Sequence, residues 1–491
     1  MQLFQRTRSV KRRIRSVDQR VSRRLLLISY HFPPSSEVAG KPTARLVRHL
    51  RKFGWTPTIL TVPTSDVPVA LDHMGYADVV ASTRIETVPR GRYLFDYLRD
   101  AQQLFRRRKE KLLSQNNGET HPKPSTDASQ LPLKLLLSYA AFPDTRSGWV
   151  RPALRRARQL LRTERFDAVM TVSPPHSAQL IGLALHRRGP RIPWIAQFHD
   201  PWVFELNGAM GNEVGAPDPL KRYLVRRLER AVVKSADHVL VSTDAALTSF
   251  RDRYSDLSPQ KFSTLFNGFD PCDFPTAPEA VAASDRLRLI YTGALYWNRD
   301  PFPLFKAVAD LVARKVVDED HIRIDLIGDC ETAMGRSVRR SAEAMGLGKI
   351  VDIKATVPYP EAIERMQSAD VLLLFAQKQP DQIPAKLFDY LALGRFVLAF
   401  ADGATAEMIR DGDMGMVVED SNDASEALAR VIEMHRNGEL RVRRASSEKN
   451  SKYHAQSLAE TLANRLDACF DPDRVASRRP TAIRHSSRRV H

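Results

Sequence analysis

A doubly wound α/β fold in two domains is predicted by three features of the 491-residue chain. These are its length, the regular alternation of short apolar runs with amphipathic stretches, and one polar break past the middle. A chain this long exceeds what one hydrophobic core usually organises, so two domains are expected.

The apolar runs come in two series. The first comprises Leu25–Ser29, Thr58–Val62, Asp167–Thr171, Trp194–Phe198, His238–Ser242 and Phe262–Phe266. The second comprises Leu287–Thr292, Arg323–Ile327, Val351–Lys354, Val371–Phe375, Phe396–Phe400 and Met416–Val418. Several are continuously apolar, the pattern of strands covered on both faces. Between most of them the apolar residues recur at helical spacing, as at Ala44, Val47, Leu50 and Phe53. Strand and helix in alternation imply parallel sheets. The break begins at the turn sequence Asn267-Gly268-Phe269-Asp270-Pro271 and runs through Pro275 and Pro278. It separates a domain over 25–270 from one over 286–440, with 271–285 as linker and a helical segment over 441–470.

Composition narrows the class. The chain is 43% apolar and 27% charged, as ordinary folded proteins are. It holds no apolar run of about 18 residues, so no membrane-spanning helix is expected. Nor does the basic N-terminus show the apolar segment of a secretory signal. The three cysteines, Cys272, Cys330 and Cys469, are scattered, which implies neither a disulfide framework nor a zinc site and suits a reducing cytoplasm. The net charge of +18 lies largely at the ends. Residues 1–24 carry nine Lys/Arg against Asp18, and residues 471–491 carry six Arg against Asp471 and Asp473. Such ends seek anionic surfaces. Val10, Ile14, Val17 and Val21 share one helical face among the arginines, which fits either an amphipathic helix in a lipid headgroup layer or an unstructured basic tail. Residues 114–132 read as a polar surface loop. Within 93–113, Leu94, Tyr97, Leu98, Ala101, Leu104 and Phe105 share a face ahead of Arg106, Arg107, Arg108, Lys109 and Lys111. That pattern fits either membrane docking or a core-packed helix with a charged end.

Four places could carry chemistry. Leu25–Ser29 runs through His31 and a loop to Gly40, then into a helix with Arg45; free backbone N–H groups there would face an anion. His199 and Asp200 follow the run Trp194–Phe198 and so lie at a strand's C-terminal end, where open α/β sheets bind ligands. The pair would orient a hydroxyl or simply bond within its loop. Gly293 ends another strand, with Arg299 just before a helix and suited to a diphosphate. Lys386 and Asp389 stand three apart on the first turns of a helix, one suited to phosphate, the other to vicinal ribose hydroxyls.

The order of these pieces resembles glycosyltransferase family 4, retaining GT-B enzymes of bacterial envelope and exopolysaccharide assembly. The matching segments are LLLISYHFPP with Gly40, SPPHSAQLIGL at 173–183, FHDPW at 198–202, NGFDPCDF at 267–274, YTGALYWNRDP at 291–301 and IPAKLFDYLALGRFVLAF at 383–400. PDTRSGWVRPA at 143–153 is similar to a segment of one bacterial branch.

The resemblance implies two Rossmann-like domains facing across a cleft, a nucleotide-sugar donor on the second, an acceptor on the first, and a late helix crossing back to the first. The acceptor would be a glycan or a polyprenyl-linked glycan at the inner face of the cytoplasmic membrane. No metal or other cofactor is implied, because positive side chains and a helix N-terminus stabilise the departing diphosphate. Retention by front-face attack requires no protein nucleophile. On this reading His199 and Asp200 serve the reacting centre, and Gly40, Gly293, Arg299, Lys386 and Asp389 the donor. Asp381 would be a further sugar contact, while His31 and Arg45 would lie on the acceptor side. Two departures stand out. The family's two donor-site glutamates are here Asp381 and Asp389, each a methylene shorter, and the lysine of the usual Arg/Lys clamp is absent beside Arg299, leaving Lys386 as its partner in place of Lys306. The acidic pairs at Asp318/Asp320, Asp411/Asp413 and Asp471/Asp473 read as surface features. A GT-B nucleotide-sugar 2-epimerase is the alternative within the fold. A nucleic-acid-binding protein is the alternative outside it, although no recognition signature accompanies the basic ends.

Overall fold

The computed structural model describes residues 22–66 except 36 and 38, 76–115, 136–189 except 138, 192–202, 219–274, 285–440 except 297, and 450–470; 105–115 are described as backbone only. The amphipathic pattern over 10–21, the loop 116–132 and the tail 471–491 lie outside these residues.

The first domain runs β1 (Arg23–Ser29), α1 (Gly40–Leu50), β2 (Trp55–Thr61), α2 (Ala77–Ser82), β3 (Arg84–Thr87), α3 (Leu94–Gln115), α4 (Val150–Thr163), β4 (Ala168–Ser173), α5 (Gln179–Arg188), β5 (Trp194–Phe198), α6 (Pro219–Ser235), β6 (His238–Val241), α7 (Asp244–Arg253) and β7 (Phe262–Thr264). Its seven strands are all parallel, in the order β3-β2-β1-β4-β5-β6-β7. β1 starts at Arg23, two residues inside the basic N-terminal segment 1–24.

The second domain runs β8 (Leu287–Thr292), α8 (Phe302–Ala313), β9 (Ile322–Ile327), a short hairpin β10–β11 (Thr332–Ala333 and Arg336–Ser337), α9 (Val338–Ala344), β12 (Val351–Lys354), α10 (Tyr359–Gln367), β13 (Val371–Ala376), α11 (Ala385–Leu393), β14 (Phe396–Ala401), α12 (Gly403–Asp411), β15 (Gly415–Val418) and α13 (Ala424–Arg436). Its six-stranded parallel sheet has the order β12-β9-β8-β13-β14-β15. In each sheet the strand order reverses beside the first strand, between β1 and β4 and between β8 and β13. These switch points are where open α/β sheets hold ligands.

The continuous apolar runs follow from burial on both faces. Leu26 and Ile28 join one core of the first domain while Leu25 and Leu27 join the other. In the second domain Leu373 and Phe375 face one core, Leu372 and Leu374 the opposite one. A last helix, α14 (Ala455–Cys469), returns to the first domain. Its Leu458, Leu462 and Leu466 pack with Ala44, Val47 and Leu50 of α1.

Candidate functional site

The second domain contributes a cluster of cationic side chains at its switch point. β8 ends at Thr292, and Gly293 follows with φ +121°, a conformation side-chain-bearing residues rarely adopt. A β-carbon at Gly293 would lie 2.8 Å from Lys386 Nζ, so the missing side chain is what makes room for the lysine. Lys386, on the first turn of α11, donates to the Thr292 carbonyl at 2.6 Å and lies 3.8 Å from the Tyr291 ring centroid. Arg299 stacks on Tyr296 and donates to the Tyr296 hydroxyl and the Ala294 carbonyl, while its Nε is buried without a partner. Both cations are thus held by neutral groups. Burial, and then the neighbouring Arg299 charge, push the Lys386 ammonium well below its ordinary pKa. Lys306, by contrast, is exposed on α8.

The first domain contributes two buried histidines. His199, just past β5 and 7% exposed, uses Nδ1 to bond Asn267 Oδ1 at 2.8 Å. Since the amide oxygen only accepts, Nδ1 carries the proton and the buried, unpartnered Nε2 presents a lone pair. Burial lowers the His199 pKa to about 4. His31, past β1, is likewise pushed to about 4, by burial and then by Arg146, and its Nδ1 has no partner. Gly40 opens α1 against the His31–Phe32 backbone, where a β-carbon would stand 3.2 Å from three main-chain atoms. Its role here is close packing of the helix on the loop.

Among the described residues, three sets of side-chain hydrogen bonds join the domains at their seam. Gln382 Nε2 donates to Asp200 Oδ1 at 2.6 Å, and Thr243 Oγ1, the N-cap of α7, donates to the Asp381 carbonyl at 2.6 Å. The third is Arg45, expected on the acceptor side but only 2% exposed and fully engaged. Its Nε donates to Asp273 Oδ2, Nη1 to the Gly268 carbonyl, and Nη2 to Asp389 Oδ1 and the Tyr359 hydroxyl. The physical reason is that α1 packs against the start of the interdomain connection, which supplies Asp270 and Asp273 as countercharges for Arg45 and Arg48, with His49 hydrogen-bonded to Asp270.

The structure therefore brings Gly293, Arg299, Lys386 and Asp389 together, sets His199, Asp200 and Asp381 along the seam, and buries Arg45 within that seam. Sequence reasoning overlooked Tyr291, Tyr296, Asn267, Gln382 and Tyr359. Asn267 and Gln382 at least lie in or beside the motifs singled out; Tyr359 carries no local signal. Asp318 and Asp320 lie on the surface before β9, while Asp411 ends α12 and Asp413 lies in the turn after it. Among the described residues no group of three or more His, Cys, Asp or Glu is arranged to hold a metal ion.

Two family models match the chain: a glycosyl transferase 4-like domain over residues 112–268 and glycosyl transferases group 1 over 274–451. Among curated proteins, a human GDP-Man:Man(3)GlcNAc(2)-PP-Dol alpha-1,2-mannosyltransferase is 22% identical over 215 residues, 41% of this chain and 43% of that protein. A D-inositol 3-phosphate glycosyltransferase of Geodermatophilus obscurus is 26% identical over 224 residues, 43% of this chain and 48% of that protein. The matched stretches span about half the length of these relatives. Among solved structures, sucrose-phosphate synthase from Thermosynechococcus elongatus superposes with a TM-score of 0.61 at 14% identity over 91% of this chain and 99% of that one. HepE from Anabaena, in complex with UDP and glucose, gives 0.57 at 12% identity over 91% and 100%. Two Rossmann-like parallel sheets, the two family models in tandem and these structural neighbours lead to one assignment: the chain is a glycosyltransferase of the family 4 type with the GT-B fold.

Proposed function

We propose that the chain transfers a sugar, with retention of anomeric configuration, from a nucleotide diphosphate sugar to a hydroxyl of a glycan or polyprenyl-linked acceptor in cell-envelope or exopolysaccharide assembly. One observation carries the reading: among the described residues Lys386 and Arg299, beside Gly293, hydrogen-bond only to neutral groups, a cationic cluster that a diphosphate would complete. As the bond from the sugar's anomeric carbon to the diphosphate breaks, negative charge grows on the leaving oxygen. The two cations and the N-terminus of α11 stabilise it, with no metal required. The acceptor oxygen attacks from the same face and gives up its proton to the leaving phosphate. His199 stays neutral and offers Nε2 to a donor-sugar hydroxyl, and Asp389 takes the ribose. HepE, a fold neighbour, is described in complex with UDP-glucose, and both curated relatives are named as sugar transferases.

We place the reaction at an anionic membrane surface. Leu94, Tyr97 and Leu104 on α3 are 59%, 58% and 60% exposed, and the arginines and lysines of 106–111 continue the same helix. No helix among the described residues is long and apolar enough to cross a membrane. Peripheral attachment on the cytoplasmic side fits these features.

The test is thermal stabilisation by UDP-, GDP-, ADP- and dTDP-sugars, since a ligand of the folded state raises the melting temperature. One nucleotide class should stabilise the wild type and fail to stabilise Lys386→Met. Absence of any shift in folded protein sinks the donor assignment. Interconversion of the donor sugar without acceptor would point to an epimerase instead.

A further inference from the structure

Arg45 occupies a position that stability alone does not explain. A guanidinium taken almost wholly out of water is a costly way to fill space, and well-packed apolar residues often serve as well. Here its fork is spread over three parts of the chain: α1 of the first domain, the connecting segment through Gly268 and Asp273, and α10 and α11 of the second domain through Tyr359 and Asp389. The Asp389 carboxylate accepts from Arg45 at Oδ1, one turn along α11 from Lys386. Among the described residues no hydrogen bond is given to Oδ2. A carboxylate able to spin freely has no preferred direction for a second acceptor; one pinned at Oδ1 by a planar donor does. Tyr359, which shares Nη2, is itself covered by the Lys41 ammonium 3.3 Å from its ring centroid, a second cation from α1 on the same seam.

We propose that Arg45 is a positioning residue for the donor: it holds one oxygen of Asp389 so that the other faces the nucleotide's ribose, and it does so only when the two domains are closed. This rests on the reading of Asp389 as the ribose contact. Donor affinity and interdomain closure are then one linked equilibrium, since the contact that orients Asp389 is also a contact that joins the domains. Arg45 has no need to touch the donor or the acceptor.

The experiment is a double-mutant cycle on donor affinity, measured by calorimetry with whichever UDP-, GDP-, ADP- or dTDP-sugar stabilises the wild type. Arg45→Met and Asp389→Asn should each weaken binding by about tenfold or more. The double variant should be weaker than the worse single by less than about threefold, because the two side chains act as one unit. Effects that multiply, or an Arg45→Met protein that binds the donor as the wild type does, overturn the proposal. Arg45→Lys covers the case in which the Met variant does not fold. It keeps the buried charge but cannot reach Asp273, Gly268 and Asp389 together, so it should remain folded with donor affinity reduced. Wild-type affinity in a folded Arg45→Lys protein would count against the proposal. If the wild type itself binds no nucleotide sugar, it is the function assignment that has failed.

Discussion

Lowering the pH should destabilise the first domain selectively, well above the range where carboxylates protonate. His31, His199 and His238 are all buried there, and burial first of all lowers each pKa from 6.5 to about 4. For His238 the neighbouring Arg465 and Lys261 charges add to the effect. Below pH 6.5 an unfolded chain binds protons at these three positions while the native domain stays neutral. Stability present above pH 6.5 is therefore lost as the pH falls toward about 4. A displacement of about 2.5 units is worth about 3 kcal/mol per histidine, and in mid-window the three together cost about 4 kcal/mol per pH unit. Urea unfolding between pH 7 and pH 5 reads this out, with the melting of the isolated second domain as reference. The midpoint of the first domain should fall steeply, and His238→Gln should remove about a third of the slope. A first-domain midpoint that stays level between pH 7 and pH 5 would show that these imidazoles are not held neutral, and the assignment of a free lone pair to His199 Nε2 would go with it.

Three further outcomes follow from the geometry. Lys386→Met should weaken donor binding by about tenfold or more while leaving the melting temperature of the free protein unchanged or raised, because burial and the nearby Arg299 charge make an ammonium at this position unfavourable. Gly293→Ala places a β-carbon 2.8 Å from the Lys386 nitrogen at φ +121°; it should cost about 1–3 kcal/mol in stability and reduce the donor-induced thermal shift. Leu94→Glu with Tyr97→Glu should lower cosedimentation with phosphatidylglycerol vesicles and leave the melting temperature within about 2 °C of wild type, since both side chains are exposed.

The central strands were readable because each is apolar on both faces, so their composition differs sharply from what surrounds them. β3 was not: its residues Arg84, Ile85, Glu86 and Thr87 form an edge strand with no buried position, and nothing in that composition separates it from a loop. The site was readable to the extent that its residues lie in contiguous motifs, as Lys386 and Asp389 do on one helix. The Arg45 cluster is a different matter. Its partners lie 223 to 344 positions away, and two of the cluster's aspartates, Asp270 and Asp273, sit in a stretch whose prolines and glycine read as linker. A buried ion pair formed across that distance leaves no periodicity in either segment. Arg45 on its own helix looks like any arginine near the start of an amphipathic stretch.

The return of α14 to the first domain has a consequence for biogenesis. Leu458, Leu462 and Leu466 complete a core whose other members, among them Leu25, Leu27, Val47 and Leu50, leave the ribosome more than 400 residues earlier. During synthesis that apolar face of α1 must wait, uncovered, while the whole second domain is made. Its final partner then arrives from the far side of the second domain. A released chain ending near residue 440 would carry a complete second domain beside a first domain with an open face, the kind of surface that recruits chaperones. Ordered by time instead of by sequence, the second domain is the first to be finished.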